Sequence, residues 1–521
     1  MNSATATVTD ALDKDYVVTP GTYSVAETVP AGWDMTGNNC QNLAVAADQT
    51  VFCQLSNVKR GHVIVQKTTS PAGDSTVFTI NASGTGTIIG GGASTVTDAL
   101  DRDYEVTPGT YTVAETVPAG WDKTGDNCLN LVVAAGQTVS CQLTNVKRGH
   151  LIVQKTTGPA GDPTVFTISA SGSGTITGGG AGTVTDATDR DYEVTPGTYS
   201  VAETVPAGWD KTGDTCQNVV VDAGEGESCM LTNVKRGHII VDKVTVPAGD
   251  EQLFTFTPTG FNSGNTFQLA HATTPFDSGL LVPGAYSVAE TVPSGWDLAS
   301  PVCTSSIADT EAAGSLELDA GETITCTFTN TKRGHLIVQK TTTPGADQTV
   351  FTISASGAGT ITGGGAGTVT DALDRDYEVT PGTYSVSETV PPGWAKTGDD
   401  CQNVPVAAGQ TQTCLLTNVM TGHIIVDKVT NPAGDPQSFD FTTTGTGYVG
   451  FSLTDAAAPN SQEVLPGAYT VAEMVPEGWD QTSAVCDNGE IIESIDVGPG
   501  ETITCTFTNT KRRRNNQLVS D

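Results

Sequence analysis

The chain has 521 residues, of which 58 are acidic and 24 basic, so its formal net charge is -34. A charge of that sign repels nucleic acid and anionic lipid, which excludes a nucleic-acid partner. The sequence contains no run of about 18 apolar residues, and we therefore expect no membrane span in this chain.

The sequence is a tandem array. The segment GHLIVQKTTGPAGD begins at Gly149, and close copies of it begin at Gly61, Gly237, Gly334 and Gly422. Self-similarity at a fixed period indicates repeated structural units. The lysines of the five copies are 88, 88, 97 and 88 residues apart, by difference of the numbers of Lys67, Lys155, Lys243, Lys340 and Lys428. We therefore divide the chain into six repeats, at residues 1–59, 60–147, 148–235, 236–332, 333–420 and 421–511. A basic tail follows at residues 512–521.

Within each repeat, short runs of Val, Ile, Thr and Tyr alternate with polar residues, and no helical period is sustained. In repeat 3 the strand signals are HLIVQKTT, TVFTISAS, GTVTDA, DYEVT and YSVAETV, followed by a cysteine hairpin that ends in CMLTNV. About seven strands in a unit of this length predict an all-β chain, a tandem array of small Ig-like β-sandwiches.

The first repeat has no counterpart of the opening strands, because the chain starts in a segment that matches the later stretch from Thr95 to Tyr104. Two interpretations stay open. Either the N-terminus is truncated, or the repeat is incomplete and accepts a strand from another chain.

The 12 cysteines fall as two in each repeat. In repeat 2 a turn signal at residues 135–137 lies near the midpoint between the two cysteines, so a hairpin there places them opposite each other. We expect one disulfide in each repeat and an extracellular or cell-surface setting. The spacing lacks the paired ligands of a zinc site. The expected pairs are Cys40–Cys53, Cys128–Cys141, Cys216–Cys229, Cys303–Cys326, Cys401–Cys414 and Cys486–Cys505.

Three polar residues in each repeat from 2 to 6 fall at strand positions whose side chains are predicted to face the core. In HLIVQK, Lys155 lies on the same face as Leu151 and Val153, since side chains alternate along a strand. By the same count Glu203 ends an apolar stripe in TYSVAET, and Asn233 ends one in CMLTN. The parity recurs in the other four repeats that carry the lysine, in the sets Lys67, Glu115 and Asn145; Lys243, Glu290 and Asn330; Lys340, Glu388 and Asn418; and Lys428, Glu473 and Asn509.

Buried charges are costly unless they satisfy one another. One interpretation is a buried ion pair with a hydrogen-bonded asparagine. The other is chemistry: burial lowers the pKa of the amine and raises that of the carboxyl group, and a neutral lysine can attack the asparagine amide carbon. The glutamic acid can stabilise the oxyanion and pass a proton to the leaving ammonia. The product is a Lys–Asn isopeptide bond.

The order of these motifs resembles the SpaA-like prealbumin-fold (CnaB-type) domains of Gram-positive pilins and surface adhesins. The matching motifs are the first-strand lysine, GTYSVAETVPAGW and the closing TNVK. The resemblance implies that the lysine and asparagine strands are neighbours and that the bond forms spontaneously. Where the family motif usually has tyrosine, this chain has tryptophan in all six repeats. These residues are Trp33, Trp121, Trp209, Trp296, Trp394 and Trp479.

Two departures from the family pattern stand out. Repeat 1 retains Glu27 and Asn57 but has no first-strand lysine, so we expect it to be uncrosslinked unless another chain supplies one. No LPxTG-like sorting signal follows Asn509, and the chain closes with KRRRNNQLVSD, which we interpret as a frayed tail.

Other candidate sites are weaker. Five histidines begin the first strands and are expected to pack at repeat junctions: His62, His150, His238, His335 and His423. Asp98, Asp101 and Asp103 in DALDRD form a candidate calcium loop, against the alternative of a solvated acidic turn. No Ser-His-Asp or Cys-His arrangement is present, so we expect no metal, no cofactor and no enzyme activity beyond single-turnover crosslinking.

The leading hypothesis is a structural stalk or fibre-like segment of a secreted or cell-surface protein, stiffened by isopeptide bonds and disulfides. The alternative is an adhesin whose repeats bind extracellular matrix, glycan or another surface protein through the variable middle segments of repeats 4 and 6. A hydrolase function would need a further, non-repeating domain.

Overall fold

The computed structural model describes residues 4–513, so most of the predicted basic tail lies outside the described residues. Within the described residues the chain is all-β, with one short 3-10 helix at Asn262–Gly264. The absence of sustained helical periodicity predicted this class. No helix in residues 4–513 combines the length and the apolar character that a membrane span requires.

Each repeat from 2 to 6 is a sandwich of two sheets built from eight or nine strands, one or two more than the sequence indicated. The strands of repeat 2 are β5 (Gly61–Ser70), β6 (Phe78–Gly84), β7 (Ala93–Val96), β8 (Arg102–Val106), β9 (Gly109–Thr116), β10 (Trp121–Asp126), β11 (Leu131–Val133) and β12 (Thr138–Lys147). One sheet has the order β10-β12-β5-β8, and the other has the order β11-β9-β6-β7.

Repeats 3 and 5 follow the same plan. The strands of repeat 3 are β13 (Gly149–Gly158), β14 (Phe166–Gly172), β15 (Ala181–Val184), β16 (Arg190–Val194), β17 (Gly197–Thr204), β18 (Trp209–Asp214), β19 (Val219–Val221) and β20 (Gly226–Lys235). Those of repeat 5 are β30 (Gly334–Thr343), β31 (Phe351–Gly357), β32 (Ala366–Val369), β33 (Arg375–Val379), β34 (Gly382–Thr389), β35 (Trp394–Asp399), β36 (Val404–Val406) and β37 (Thr411–Met420).

Repeats 4 and 6 differ in their middle segments. The strands of repeat 4 are β21 (His238–Val246), β22 (Phe254–Thr259), β23 (Phe267–Leu269), β24 (Phe276–Asp277), β25 (Gly284–Thr291), β26 (Trp296–Leu298), β27 (Val302–Ser305), β28 (Leu316–Leu318) and β29 (Thr323–Lys332). Those of repeat 6 are β38 (Gly422–Asn431), β39 (Phe439–Thr444), β40 (Phe451–Leu453), β41 (Asn460–Val464), β42 (Gly467–Met474), β43 (Trp479–Cys486), β44 (Ile495–Val497) and β45 (Thr502–Lys511).

Repeat 1 has four strands within the described residues: β1 (Gly21–Tyr23), β2 (Trp33–Asn38), β3 (Leu43–Val45) and β4 (Leu55–Lys59). Strand β1 pairs with β3, and β2 pairs with β4. Apolar side chains that the other repeats bury stay more exposed here, as with Trp33, which is 38% exposed whereas Trp121 is 5% exposed.

The first and last strands of a repeat are parallel neighbours in the centre of one sheet. In repeat 2, Lys67 of β5 is paired in register with Leu143 of β12, and Thr69 is paired with Asn145. Both strands therefore point their alternate residues at the same core, and the burial of β5 alternates along its whole length.

The core of each repeat lies between its two sheets. In repeat 2 the Phe78 and Trp121 rings meet edge to face at 5.1 Å between centroids, a geometry that aromatic pairs favour. The Tyr111 hydroxyl donates a hydrogen bond to the carbonyl oxygen of Thr107 at 2.5 Å, which closes the TPGTY corner. Aromatic rings therefore make up a large part of the core between the two sheets.

The predicted cysteine hairpin is wrong, although the predicted cysteine pairs are correct. Strand β11 does not fold back on β12, because its Val133 pairs with Gly109 of β9 in the opposite sheet. The three apolar residues Leu131–Val133 pair in the second sheet, where Val133 is buried in the core. Only repeats 4 and 6 place the two cysteines directly opposite each other on neighbouring strands.

By compactness the chain divides into two parts after Arg236, except that Asp319–Gly321 belong with the first part. Repeats 1 to 3 lie in the first part, and repeats 5 and 6 with nearly all of repeat 4 lie in the second.

Candidate functional site

A lysine, a glutamate and an asparagine meet inside each repeat from 2 to 6. The lysine comes from the first strand, the glutamate from the long strand of the opposite sheet, and the asparagine from the last strand. Lys67 is 4% exposed and Asn145 is fully buried, and the side chains of Lys67 and Glu115 have no exposed surface. The structure therefore brings the three predicted residue types together in one dry pocket.

The lysine and glutamate side chains lie within ion-pair distance in all five repeats. The Nζ to carboxylate oxygen distances are 3.0 Å for Lys67–Glu115, 3.1 Å for Lys155–Glu203, 3.8 Å for Lys243–Glu290, 3.3 Å for Lys340–Glu388 and 3.3 Å for Lys428–Glu473.

The lysine also reaches the asparagine amide. Lys155 Nζ donates to Asn233 Oδ1 at 2.5 Å, Lys243 Nζ to Asn330 Oδ1 at 2.7 Å, and Lys428 Nζ to Asn509 Oδ1 at 2.8 Å. These hydrogen bonds hold each amine beside the side-chain amide group of its asparagine.

In repeats 2 and 5 the asparagine side chain makes no hydrogen bond to the lysine within the described residues. The side-chain amide groups of Asn145 and Asn418 are buried and have no hydrogen-bond partner among the described residues. A buried amide without partners is costly, by about 1–3 kcal/mol for each unsatisfied group.

Burial favours the neutral amine, whereas the aromatic ring beside each lysine favours the ammonium form through a cation–π contact. The Lys67 Nζ lies 4.1 Å from the centroid of the Phe78 ring, and the other four lysines lie 4.1–4.3 Å from the equivalent phenylalanine. Desolvation lowers the pKa of all five lysines, and it lowers that of Lys243 to about 8. A larger fraction of the lysine is therefore deprotonated near neutral pH than in water.

In repeat 4 the pKa of the glutamate carboxyl group is raised, whereas that of the lysine is lowered. Desolvation raises the pKa of Glu290, against the opposing effects of Lys243 and of a hydrogen bond from Asn330. The Asn330 Nδ2 donates that hydrogen bond to Glu290 Oε1. The carboxyl group thus contacts both the amine and the amide between which a proton would have to move.

Repeat 1 contains two of the three groups. Asn57 Nδ2 donates to Glu27 Oε1 at 2.7 Å. The other glutamate oxygen and the asparagine oxygen are buried and have no hydrogen-bond partner within residues 4–513. Among repeats 2 to 6, only repeat 4 has the same asparagine-to-glutamate hydrogen bond within the described residues.

Comparison with protein families matches almost the whole chain. Two SpaA profiles, each described as a prealbumin-like fold domain, match residues 1–60, 57–150, 140–237 and 334–426 in one case and 239–332 and 424–511 in the other. The chain belongs to the SpaA prealbumin-like fold family. No curated protein matches the sequence.

Several solved structures are similar to the chain at low identity. The Bacillus anthracis TIE protein is 16% identical, with 75% of this chain and 76% of that chain covered and a TM-score of 0.27. BcpA, the major pilin subunit of Bacillus cereus, is 13% identical, with coverage of 53% and 100% and a TM-score of 0.24. SpaC, a pilus adhesin from Lactobacillus rhamnosus GG, is 13% identical, with coverage of 85% and 54% and a TM-score of 0.21.

Every SpaA repeat of the chain carries one disulfide, and the six pairs are those expected from the sequence. The paired Cα atoms are 4.9–5.0 Å apart in repeats 1, 2, 3 and 5 and 3.9–4.0 Å apart in repeats 4 and 6. No cysteine within residues 4–513 is free. This usage is typical of an oxidising compartment.

The expected junction role of the histidines is wrong in four SpaA repeats. The Nδ1 atoms of His62, His150, His238 and His335 lie 3.0 Å from an aspartate of the same repeat, and these side chains are 35–48% exposed. The partners are on the adjacent edge strand, since the first strand and that edge strand run antiparallel in register.

The candidate calcium loop is not assembled as a ligand set. Asp98 accepts the backbone N–H groups of Thr69 and Gly73, whereas Asp103 pairs with His62. Asp101 contacts the side-chain amide of Gln66 at 3.5 Å. The three carboxylates therefore face different partners.

Sequence reasoning missed an arginine bridge between neighbouring SpaA repeats. Arg333 forms a two-pronged ion pair with Asp297 of repeat 4, at 2.6 and 2.9 Å, and reaches Glu378 of repeat 5 at 3.2 Å. Arg60 and Arg148 make equivalent bridges. At the start of repeat 6 the arginine is replaced by Thr421, whose hydroxyl donates to Glu463. The recurring KRG tripeptide was the available signal.

Proposed function

We propose that repeats 2 to 6 each form one intramolecular Lys–Asn isopeptide bond, and that the chain is a stalk-like structural segment of an extracellular or cell-surface protein. The observation that carries this proposal is the buried meeting of lysine, glutamate and asparagine in five repeats, with Nζ hydrogen-bonded to the asparagine oxygen in three of them.

The reaction needs no added reagent. The neutral lysine amine attacks the asparagine Cγ, and the protonated glutamic acid donates a hydrogen bond to the developing oxyanion. The glutamate then moves one proton from the former lysine nitrogen to the amide nitrogen, so that ammonia leaves. One N–C bond forms and one breaks, and the glutamic acid is regenerated.

The position of the bond supports a mechanical role. In repeat 3 the bond would join Lys155 to Asn233, which are 78 residues apart. By the chain-entropy estimate for a covalent loop of this length, the link stabilises the repeat by about 4.5 kcal/mol. Tension that enters along β13 would leave along the end of β20 through the bond, and the rest of the repeat would carry no load.

Intact mass tests the chemistry. Five isopeptide bonds remove five ammonia molecules, so the fully reduced chain should weigh about 85 Da less than its sequence mass. Tryptic peptides should include branched Lys–Asn species for each repeat from 2 to 6. A reduced chain at its full sequence mass would leave only buried ion pairs and would overturn the proposal.

The adhesin alternative, with matrix, glycan or another surface protein as the partner, places recognition in the middle segments of repeats 4 and 6. In repeat 6 the exposed Val449 lies in that segment, and Gln462 exchanges hydrogen bonds with its backbone at 3.0 and 2.7 Å. A glycan array and a matrix-protein pull-down, with repeats 2 and 3 as the matched control, separate binding from a purely structural role.

We also infer that repeat 1 can accept a lysine-bearing strand. Its Glu27–Asn57 pair is already hydrogen-bonded, and in repeats 2 to 6 the lysine strand lies parallel to the last strand. A synthetic GHLIVQKTTG peptide should form an adduct at Asn57 with loss of one ammonia. The same peptide with alanine in place of lysine is the control, and an unmodified Asn57 after incubation would contradict the inference.

A further inference from the structure

One loop side chain contacts the lysine strand beside the crosslinking centre in every repeat from 2 to 6. In repeat 6 the Asp455 Oδ1 accepts the backbone N–H of Thr430 at 2.6 Å, and Oδ2 accepts that of Gly434. Asp98, Asp186 and Asp371 make the same two contacts in their repeats. This aspartate is half-buried in all four cases.

The contacted threonine is adjacent to the reaction. Thr430 lies two residues after Lys428, and it is paired in register with Asn509. A side chain that fixes the backbone at Thr430 therefore fixes the register in which the lysine faces the asparagine. The separation of amine and amide carbon depends on that register, and a misplacement of about 1 Å can slow a positioned reaction about 10²-fold.

In repeat 4 a histidine, and not an aspartate, accepts the backbone N–H of the corresponding threonine. His271 Nδ1 accepts the N–H of Thr245 at 2.9 Å, and Thr245 is paired with Asn330 as Thr430 is with Asn509. An acceptor at Nδ1 requires a ring that is unprotonated at that atom. Repeat 4 therefore keeps the backbone contact without the carboxylate charge.

Repeats 4 and 6 match in the backbone contacts of their lysines, although only Asn330 of repeat 4 also donates a hydrogen bond to its glutamate. Lys243 Nζ donates to the carbonyl oxygens of Val244 and Phe328 at 3.0 and 3.1 Å. Lys428 Nζ makes the same two bonds at the same two distances, to Val429 and Phe507. The preceding aspartate, Asp242 or Asp427, accepts the backbone N–H of the lysine in each repeat.

We propose that this loop residue is a positioning residue of the crosslinking reaction, and that histidine in place of aspartate makes repeat 4 crosslink ahead of repeat 6 near neutral pH. The inference rests on the isopeptide bonds proposed above. A carboxylate near the amine stabilises the ammonium form, which cannot attack, whereas a neutral imidazole does not.

The charged groups around the two lysines are consistent with this order. Lys243 is influenced by Glu290 and Asp242, and its pKa is lowered to about 8 by desolvation. Lys428 is influenced by Glu473, Asp455 and Asp427. Asp455 is thus the additional negative group in repeat 6. The lysines of repeats 2, 3 and 5 are influenced by the equivalent aspartate and also by a second lysine, which acts in the opposite direction.

The test follows both crosslinks in the same molecule. The full chain is recovered unfolded in denaturant and reductant, checked by mass for retention of all its ammonia, and refolded at pH values from about 7 to about 9.5. Samples are quenched at intervals, and the branched Lys243–Asn330 and Lys428–Asn509 peptides are quantified. The repeat 4 crosslink should form at least roughly threefold faster at pH 7, and the ratio should approach one at the highest pH.

Exchanged variants assign the effect to this position. His271→Asp should slow repeat 4 at pH 7, and Asp455→His should accelerate repeat 6. Asp455→Asn keeps an oxygen for the Thr430 N–H without the charge, so it should also accelerate repeat 6. Hydrogen exchange of the first-strand peptides checks that each variant repeat is folded.

The outcomes separate this inference from the proposed function. If neither crosslink forms at any pH, the isopeptide proposal itself fails. If both form with pH profiles that the exchanges do not change, crosslinking stands and the inference is overturned. It is also overturned if Asp455→Asn slows repeat 6 equally at all pH values, because the residue then acts only through structure.

Discussion

The glutamate is the residue on which the proposed chemistry of each repeat depends. Glu203 Oε1 lies 3.1 Å from Lys155 Nζ, and neither side chain is exposed. A buried lysine next to an amide is not sufficient for reaction, because the leaving nitrogen must gain a proton and neither side chain is exposed to bulk water. The glutamate is the group placed to supply it.

Replacing this acid should stop one crosslink. Glu203→Gln keeps the volume of the side chain but cannot relay a proton, so repeat 3 should fold without losing its ammonia. The reduced chain should be about 16 Da heavier than the wild type, because the retained ammonia adds about 17 Da and the substitution itself removes about 1 Da, and the Lys155–Asn233 branched peptide should be missing. Glu225→Gln, at an exposed position of the same repeat, is the control and should leave the mass deficit unchanged. A crosslink of normal yield in Glu203→Gln would remove the catalytic role.

At the scale of the element, some glycines let the backbones of neighbouring strands approach closely, whereas others do not. A Cβ at Gly180 would lie 1.8 Å from the carbonyl oxygen of Ala170, where β15 approaches the end of β14. A Cβ at Gly226, also in repeat 3, meets nothing nearer than His150 Cβ at 3.9 Å. The two positions therefore make a matched pair for testing the sheet edge.

Gly180→Ala should open the β14–β15 pairing or shift the backbone, at a cost of about 2 kcal/mol or more. The expected result is a large loss of hydrogen-exchange protection in peptides that cover Phe166–Gly172. Gly226→Ala should leave those peptides as protected as in the wild type. Equal protection in both variants would show that β15 contributes little to the stability of the sheet.

Strand parity made the core-facing lysine, glutamate and asparagine predictable, because a period of two fixes which residues share a face. The cysteine pairs followed from their even count within each repeat. The predicted hairpin failed because local turn signals do not reveal that Val133 is drawn to the opposite sheet. The contacts of Asp98 with Thr69 and Gly73 were missed because they join loops 25 to 29 residues apart, which no short pattern reports.

At the scale of the whole molecule, arginine ion pairs link repeat 1 to repeat 2, repeat 2 to repeat 3, and repeat 4 to repeat 5. Arg333 joins Asp297 and Glu378, and beside it the backbone N–H of Gly409 in repeat 5 donates to the carbonyl oxygen of Lys332 in repeat 4 at 3.1 Å. An exposed ion pair is weak by itself, but a planar guanidinium held by two carboxylates has a defined geometry.

Arg333→Ala should therefore loosen the junction between repeats 4 and 5 without unfolding either repeat. The expected result is faster hydrogen exchange of the Gly409 amide, with unchanged protection in the core strands. Lys396→Ala removes an exposed lysine of repeat 5 and is the control. An unchanged Gly409 amide would show that backbone contacts alone hold the junction.

The same junction should weaken in acid. The hydrogen bond from Arg333 lowers the pKa of Asp297, so the contribution of this pair is present above the ordinary aspartate pKa of about 3.9 and is lost as the pH falls through the lowered value. Protection of the Gly409 amide, corrected for intrinsic exchange, should fall below about pH 4 in the wild type. In the Arg333→Ala variant, the protection of the Gly409 amide should depend on pH much less.

The parallel placement of the first and last strands has a consequence for durability. With the proposed bond in place, every loop from Lys155 to Asn233 lies inside a closed covalent ring. A protease that cuts one exposed loop would open the ring but release no fragment and leave the path between neighbouring repeats intact. A chain built in this way can accumulate nicks along its length and still hold together.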